Sequence, residues 1–502
     1  MGKIYIGWAE ESIVPDKKVS LAGQFFERLS EYVESDITAT AMAVETDGEQ
    51  AVMVSVDLGN ITAGQQAIVR EKVKKMSSEI DVSKIFIAAT HTHTAMGPAR
   101  PKNAAESHAF AVSIDVIREF LPEHMLYKAH VTADESVLTA EEALEFVTDK
   151  IAKAVVDAWN GKKEALYTNE FGRVPVGMCR RVVYDDGSAQ MWGDCNTPNF
   201  VSLEGGNDSG VELIYTFDTD KNLTGVIANI SCPAQILEQR SFISADYWGA
   251  TKAYLREKLG KPVYLLGFCG AAGDQSPRDL VRWVEPETPI DDPNVKRPNV
   301  IVHKADPSMY DISGCKKVGK RIANEVISVL EDITDLKDEA VFYHKVLTMD
   351  LPLRKATMEE YENAVKELQD YVEKNKDKTN FTFEDNARMF VHAGTIARFR
   401  EQQYTQIHTI ESHVLRFGDV AFSTNPFELF LDYGNIIKAR SRAAQTFIVQ
   451  LACGASDYLP TKKAEEGGHY SAYLSSGYVG HEGGDLFTRQ TIRAINTMWE
   501  AE

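Results

Sequence analysis

The stretch Lys84-Ile85-Phe86-Ile87-Ala88-Ala89-Thr90-His91-Thr92-His93-Thr94 decides how the chain is read. Its first half is a short, unbroken apolar run, the pattern of a strand buried on both faces. Its second half turns polar at once, and two histidines two residues apart in extended chain point to one face. Upstream, Ala41–Glu45 and Ala51–Val56 flank Asp47-Gly48 and read as a hairpin. A helical pattern from about Gln65 to Met76 separates that hairpin from the apolar run. Downstream, a long amphipathic stretch from Ala140 to Asn160 stops at Gly161, a natural helix end. Hairpins turn at Asp186-Gly187 and between Val211–Phe217 and Leu223–Ile230. Then come a helix near Tyr247–Leu259, a strand at Val263–Gly267, and a helix from about Lys316 to Leu330. The segment from Thr357 to Gln403 is the most charged and most helical. It opens on a capping box (Thr357 to Glu360) and carries an apolar stripe at Ala364, Val365, Leu368 and Val372. It reads as a solvated helical excursion packed on the body. Strands near Glu411–Phe422, a helix near Phe427–Arg440, a strand at Thr446–Ala452 and a helix near Thr488–Trp499 close the chain. Interleaved helices and strands with several hairpins imply an α/β fold: mixed β-sheets flanked by helices, with strand-end loops forming a central site. The expectation is a single large domain over 1–502, with a helical excursion at about 355–404.

Composition bounds the function. The 502 residues hold 54 Lys plus Arg and 74 Asp plus Glu, a formal charge of −20, with 44% apolar residues. That is a folded, acidic chain. It lacks the basic surface that nucleic acid or an anionic membrane would require. Six cysteines form no C-x-x-C pair, so neither a disulfide framework nor a Cys-rich zinc site is signalled. No secretory signal or membrane span is evident, which points to a cytoplasmic protein with reduced thiols.

Chemistry-bearing residues cluster where strands end, the usual place for ligands in α/β folds. His91 and His93 are a metal signal weighed evenly against two hydrogen-bonded structural histidines. Cys232 ends an apolar strand in Ile230-Ser231-Cys232-Pro233-Ala234-Gln235, followed by Ser244-Ala245-Asp246. Alone it reads as a small core residue. The small-residue loop Gly267-Phe268-Cys269-Gly270-Ala271-Ala272-Gly273-Asp274-Gln275-Ser276-Pro277 is neither a Walker loop nor a nucleophile elbow. Its Ser276 suits a nucleophile, a hydrogen-bond donor or a turn. Glu428, flanked by Phe427 and Phe430, is a candidate ligand or base, or a helix-start carboxylate. Tyr458 lies just beyond the last apolar strand.

These clusters, in this order, resemble the neutral/alkaline ceramidase family, in its N-terminal catalytic domain and shorter bacterial relatives. The resemblance rests on Thr90-His91-Thr92-His93 with Gly97-Pro98, Ser244-Ala245-Asp246, Gly273-Asp274-Gln275-Ser276-Pro277, Phe427-Glu428 with Tyr433-Gly434, and Tyr458-Leu459-Pro460-Thr461. It implies a zinc-dependent amidohydrolase whose Zn2+ is held by two His, one Glu and one Tyr. Carried over, the ligands are His91, Glu428 and Tyr458, with Cys232 standing where the second histidine belongs. A thiolate can ligate zinc but makes it a weaker Lewis acid. The resemblance also implies His93 as proton carrier or donor to the substrate carbonyl, Arg180 and Tyr458 as polarisers of the carbonyl, and Ser276 as the family's serine. Asp57, at a strand end, reads equally as support for a ligand histidine or as a turn aspartate. The additional C-terminal β domain of the larger family members is not expected after the tyrosine motif. With no export signal, the expected small-molecule substrate is a smaller or more polar amide or ester than ceramide, which stays a family-level possibility. Two rivals stand beside this reading. One is an esterase or lactonase using the same zinc. The other is a binding protein that lost catalysis through Cys232. Stable membrane insertion and nucleic-acid binding are not expected, and a homo-oligomer is compatible with the reading. His469 reads as a surface loop, His408 and His413 as strand residues, and His481-Glu482-Gly483-Gly484 as a loop.

Overall fold

The computed structural model describes residues 2–100, 109–127, 134–282 and 311–500, with side chains omitted over 109–112. It is a mixed α/β structure. Among the described residues, its larger sheets share one plan: antiparallel strands, plus one parallel strand at the edge.

In the first sheet, Tyr5–Ser12, Thr38–Thr46 and Glu49–Val56 run antiparallel. Ile85–Ala89 then adds in parallel beside Glu49–Val56. In the second, Leu166–Arg173, Gly210–Phe217 and Leu223–Ile230 are antiparallel, and Tyr264–Cys269 adds in parallel. In the third, Phe342–Pro352, Ile407–Phe417 and Val420–Thr424 are antiparallel, and Gln445–Val449 adds in parallel. Each parallel strand needs a crossover. The crossovers carry the helices Ala63–Met76, Asp246–Leu259 and Leu431–Arg440.

Two apolar faces follow from this plan. The inner faces of all three sheets meet in one core that holds Met42, Phe86, Ile214, Leu266, Phe422 and Phe447. The outer face of each sheet is covered by helices. Ala63–Met76 and Ala140–Asn160 cover the first, Asp246–Leu259 and Ile312–Glu331 the second, and Leu431–Arg440 and His481–Thr497 the third. Strands buried on both faces explain the continuous apolar runs in the sequence. The parallel pairs all end toward one region, where their exits hold Asp57 and His91, Cys232 and Ser276, and Glu428 and Tyr458.

Three expectations change. The helix placed from Phe427 begins at Leu431. Glu428-Leu429 is instead a short strand, parallel to Tyr458-Leu459. His481 opens the last helix, His481–Thr497, rather than lying in a loop. The charged excursion is two helices, Met358–Lys374 and Phe383–Glu401. They are not merely solvated: with Ala109–Phe120 they bury a core of their own around Ile117, Leu368, Met389 and Ile396. His408 and His413 do lie on a strand. No helix among the described residues is long and apolar enough to cross a membrane. All six cysteines are unpaired.

Candidate functional site

His91 follows the strand Ile85–Ala89 with a left-handed backbone, φ 65°. That conformation is costly for a side-chain-bearing residue and collects at functional sites. Its Nδ1 faces the carbonyl of Gly59. A carbonyl only accepts, so Nδ1 carries a proton and Nε2 is the ring nitrogen turned toward Glu428. Nε2 lies 3.4 Å from Glu428 Oε2.

Glu428 and Tyr458 are opposite each other in the short parallel pair. That pairing delivers both side chains to one place. Gly273 makes the approach possible, since a Cβ there would lie 2.3 Å from the Glu428 carbonyl oxygen. Arg180 enters from the second sheet's side, beside Met178-Cys179, which pairs with Gln275-Ser276. Its Nη2 donates to the Gly273 carbonyl at 2.9 Å and to Tyr458 Oη at 3.3 Å. It also lies 4.0 Å from Glu428 Oε2. Burial alone would raise the Glu428 carboxyl, but His91, then Arg180 and Tyr458, hold it below the usual carboxylate range. Burial, then Glu428 and Tyr470, push the Tyr458 phenol well up, so it stays a proton donor. Burial works against the charge of Arg180, but Tyr458 and Glu428 more than restore it.

His93 packs edge-on to His91, ring centroids 4.9 Å apart. Arg180 Nη1 donates to Gln235 Oε1 at 3.4 Å, which leaves the Gln235 amide nitrogen to donate to His93 Nε2 at 2.7 Å. His93 therefore carries its proton on Nδ1. That atom is buried without a hydrogen-bond partner, 3.6 Å from Glu238 Oε2. Burial, then His91 and Arg28, drive the His93 pKa well below its ordinary value.

The other expected residues lie differently. Cys232 is fully buried, and its thiol donates to the Pro233 carbonyl at 3.5 Å. Burial, then Cys269 and Asp246, raise its pKa far above that of a free thiol. Its Sγ does not join His91 and Glu428 in a trio of ligand atoms within 4.8 Å of one another. Ser276 is buried too, and its Oγ accepts the Arg278 backbone N–H at 3.1 Å. Asp57 does not touch the His91 ring, which Gly59 orients. It holds Thr38 and Lys252, and accepts from Thr90 Oγ1 at 3.2 Å. His469 is tied down, accepting the Met191 N–H at 3.1 Å.

His91, His93, Glu428, Tyr458 and Tyr470 form one end of a cavity of about 1170 Å³. The remainder is largely apolar, with Phe25, Met96, Ile117, Leu126 and Phe390 among its walls. Two of these come from the helices Ala109–Phe120 and Phe383–Glu401. Sequence reasoning missed Gly59, Gln235, Tyr470 and this helical wall. Gln235 lay inside the quoted Cys232 segment but had no signal as a partner of His93.

This arrangement of sheets matches solved structures. Neutral ceramidase from Pseudomonas aeruginosa superposes with a TM-score of 0.67 at 14% identity, covering 100% of this chain and 75% of that one. The chain has the neutral ceramidase fold. A ceramidase complexed with C2 gives 0.66 at 13% identity, covering 100% of this chain and 76% of that one. No family model and no curated protein matches the chain. At such identity the likeness to ceramidases is one of fold, and chemistry is argued from the site.

Proposed function

We propose that the protein is a zinc-dependent hydrolase of N-acyl amides. One observation carries this reading. An imidazole nitrogen, an ionised carboxylate, a phenol and a guanidinium converge at the end of a large, mostly apolar cavity. His91 Nε2, Glu428 and Tyr458 would hold the ion. Three protein ligands are the usual number in catalytic zinc sites, which keep a position open. Cys232, the expected fourth ligand, instead turns its thiol proton to the Pro233 carbonyl. Bound zinc would polarise the scissile carbonyl and supply a water whose pKa is near about 7.

The chain's own groups account for the rest. Arg180 and the Tyr458 hydroxyl would serve as donors to the carbonyl oxygen as negative charge grows there. Removing one such donor typically costs about 10²–10³ in rate. His93 is neutral, with its proton on Nδ1, and suits proton transfer to the leaving amine. Ser276 stands next to this set, paired with Met178 in the short strand that precedes Arg180. The apolar wall favours an acyl chain over the smaller, more polar substrate expected from sequence.

The test is a panel of N-acyl amides and matching esters of increasing chain length. Metal-depleted and zinc-restored protein are compared, with a Glu428→Gln variant. Turnover should need zinc, favour amides with longer chains and vanish in the variant. Full turnover without metal, or in Glu428→Gln, overturns the reading.

A further inference from the structure

Arg180 and Arg181 are consecutive in extended chain, and such neighbours point opposite ways. Arg180 enters the site. Arg181 turns to the other side, against the segment that carries Tyr470. Arg181 is 0% exposed, a position that an arginine takes only when paired. Its partner is Glu204: Nε donates to Oε2 at 2.7 Å and Nη2 to Oε1 at 3.0 Å. That is the bidentate fork which arginine makes and lysine cannot.

The rest of the guanidinium faces one short stretch of chain. Nη2 also donates to the carbonyls of Gly468 at 2.8 Å and Ala464 at 3.3 Å. Nη1 donates to the Tyr470 carbonyl at 3.1 Å and to Ser471 Oγ at 3.3 Å. This stretch needs holding. Gly468, His469 and Ser471 all have left-handed backbones, with φ of 73°, 71° and 72°. Two of the three bear side chains, so the conformation is strained. Such strain persists only where the surroundings over-determine it. Its product is a position. Tyr470 lies between two left-handed residues, and its ring stands edge-on to Tyr458 at the end of the cavity, centroids 5.5 Å apart.

We propose that Arg181, held by Glu204, is a positioning residue for the candidate site. It clamps the strained backbone around Tyr470 and so fixes the wall against which Tyr458 stands. Its part in turnover rests on the hydrolase reading; the clamp itself does not. A buried ion pair typically gains little stability over apolar packing. What this one supplies is geometry. The planar fork has fixed directions, with one edge taken by the Glu204 carboxylate and the remaining N–H groups by the segment from Ala464 to Ser471. Lysine would keep the charge and lose the fork.

The test compares full-length wild type with Arg181→Lys, by amide hydrogen exchange and by steady-state kinetics on an N-acyl amide. The N–H groups of Gly468, Ala472 and Tyr473 bond to the carbonyls of Ala464 and His469. Their exchange should quicken by about 10–100-fold in the variant, as expected for the loss of one charge-assisted hydrogen bond. The helix Ala140–Asn160 should exchange as in wild type. A displacement near 1 Å at a reacting group costs about 10²-fold, so kcat should fall by about that factor while KM stays within about twofold. Arg416→Lys controls for the mere loss of a buried arginine. Arg416 is buried, donates to the Gly418 and Met498 carbonyls, and is not among the cavity walls. That variant should lose stability in urea and keep its kcat. Unchanged exchange at Gly468, Ala472 and Tyr473 in Arg181→Lys overturns the clamp. A folded Arg181→Lys protein with wild-type kcat, or with a loss that Arg416→Lys matches, overturns the positioning role. If Arg181→Lys does not fold, Glu204→Gln takes its place under the same criteria. Wild type without amide turnover sinks the hydrolase reading, and the exchange comparison still decides the clamp on its own.

Discussion

Gly23 offers a sharp test of whether His93 must stand where it does. Its φ is +94°, and a Cβ built there would lie 2.4 Å from His93 Cγ and 2.6 Å from Nδ1. Carbon atoms pack at about 3.5–4.0 Å, so Gly23→Ala must push the ring by roughly 1 Å or move its own backbone. An L side chain at positive φ costs about 1–2 kcal/mol. Overpacking a filled site adds about 1–3 kcal/mol. The expected loss of stability is thus about 2–5 kcal/mol, read from urea unfolding. A displacement near 1 Å at a reacting group costs about 10²-fold in rate, so kcat on an N-acyl amide should fall by about that factor. Gly48→Ala separates the two effects. It also sits at positive φ, +82°, but its Cβ would meet nothing within 4 Å. It should lose stability through strain alone and keep full kcat. A Gly23→Ala enzyme that is folded and fully active would refute the placement of His93 in the reaction.

Tyr458→Phe removes the hydroxyl 3.3 Å from Arg180; kcat should drop about 10²–10³-fold in steady-state assays. Phe390→Ala opens the helical wall of the cavity, and about 1.5–3 kcal/mol of lost apolar contact should raise KM for long-chain substrates while short ones are little changed. Asp246 is fully buried, and burial raises its carboxyl to about 7 despite N–H donors from Leu237 and Tyr247. Its folded pKa exceeds its unfolded one, so it stabilises fully below about pH 4 and loses that contribution as pH rises through 7. Subtracting the Asp246→Asn unfolding curve from wild type should reveal a stability difference that falls over this window, and a flat difference would contradict the assignment.

Much of the fold is legible in the sequence because the signals are local. The hairpins at Asp47-Gly48 and Asp186-Gly187 carry their turn residues, and Thr139 and Gly161 bound the helix Ala140–Asn160. Other elements are set by distant contacts. Phe427–Phe430 suits a helix start as well as a strand, and only pairing with Tyr458 decides it. The first turns of His481–Thr497 are hidden by Gly483 and Gly484, poor helix formers. They stand there because the helix lies close to its neighbours. A Cβ on Gly483 would be 2.2 Å from Val479 Cγ1, and one on Gly484 would be 2.4 Å from the Tyr433 hydroxyl. Within the site, residue types at strand ends could be read, but not which would meet. Gln235 becomes a partner of His93 only because Arg180 fixes its amide.

Cys232 raised the question of whether this chain can do metal chemistry, and the geometry changes the form of that question. Its backbone is locked: the Cys232 carbonyl accepts the Tyr247 hydroxyl at 2.7 Å and the Cys269 thiol at 3.2 Å. From that fixed point a thiol is shorter than an imidazole, and it turns to the Pro233 carbonyl instead. A ligand histidine at this position would reach toward His91 and Glu428. Catalytic zinc needs three protein ligands and an open position, and His91, Glu428 and Tyr458 are three. Cys232→Ala should therefore keep zinc and turnover. Cys232→His should tighten zinc binding, seen in competition with a chelator, without being required for activity. Loss of both zinc and turnover in a folded Cys232→Ala protein would show that the thiol reaches the ion after all, and that the three-ligand site is the wrong description.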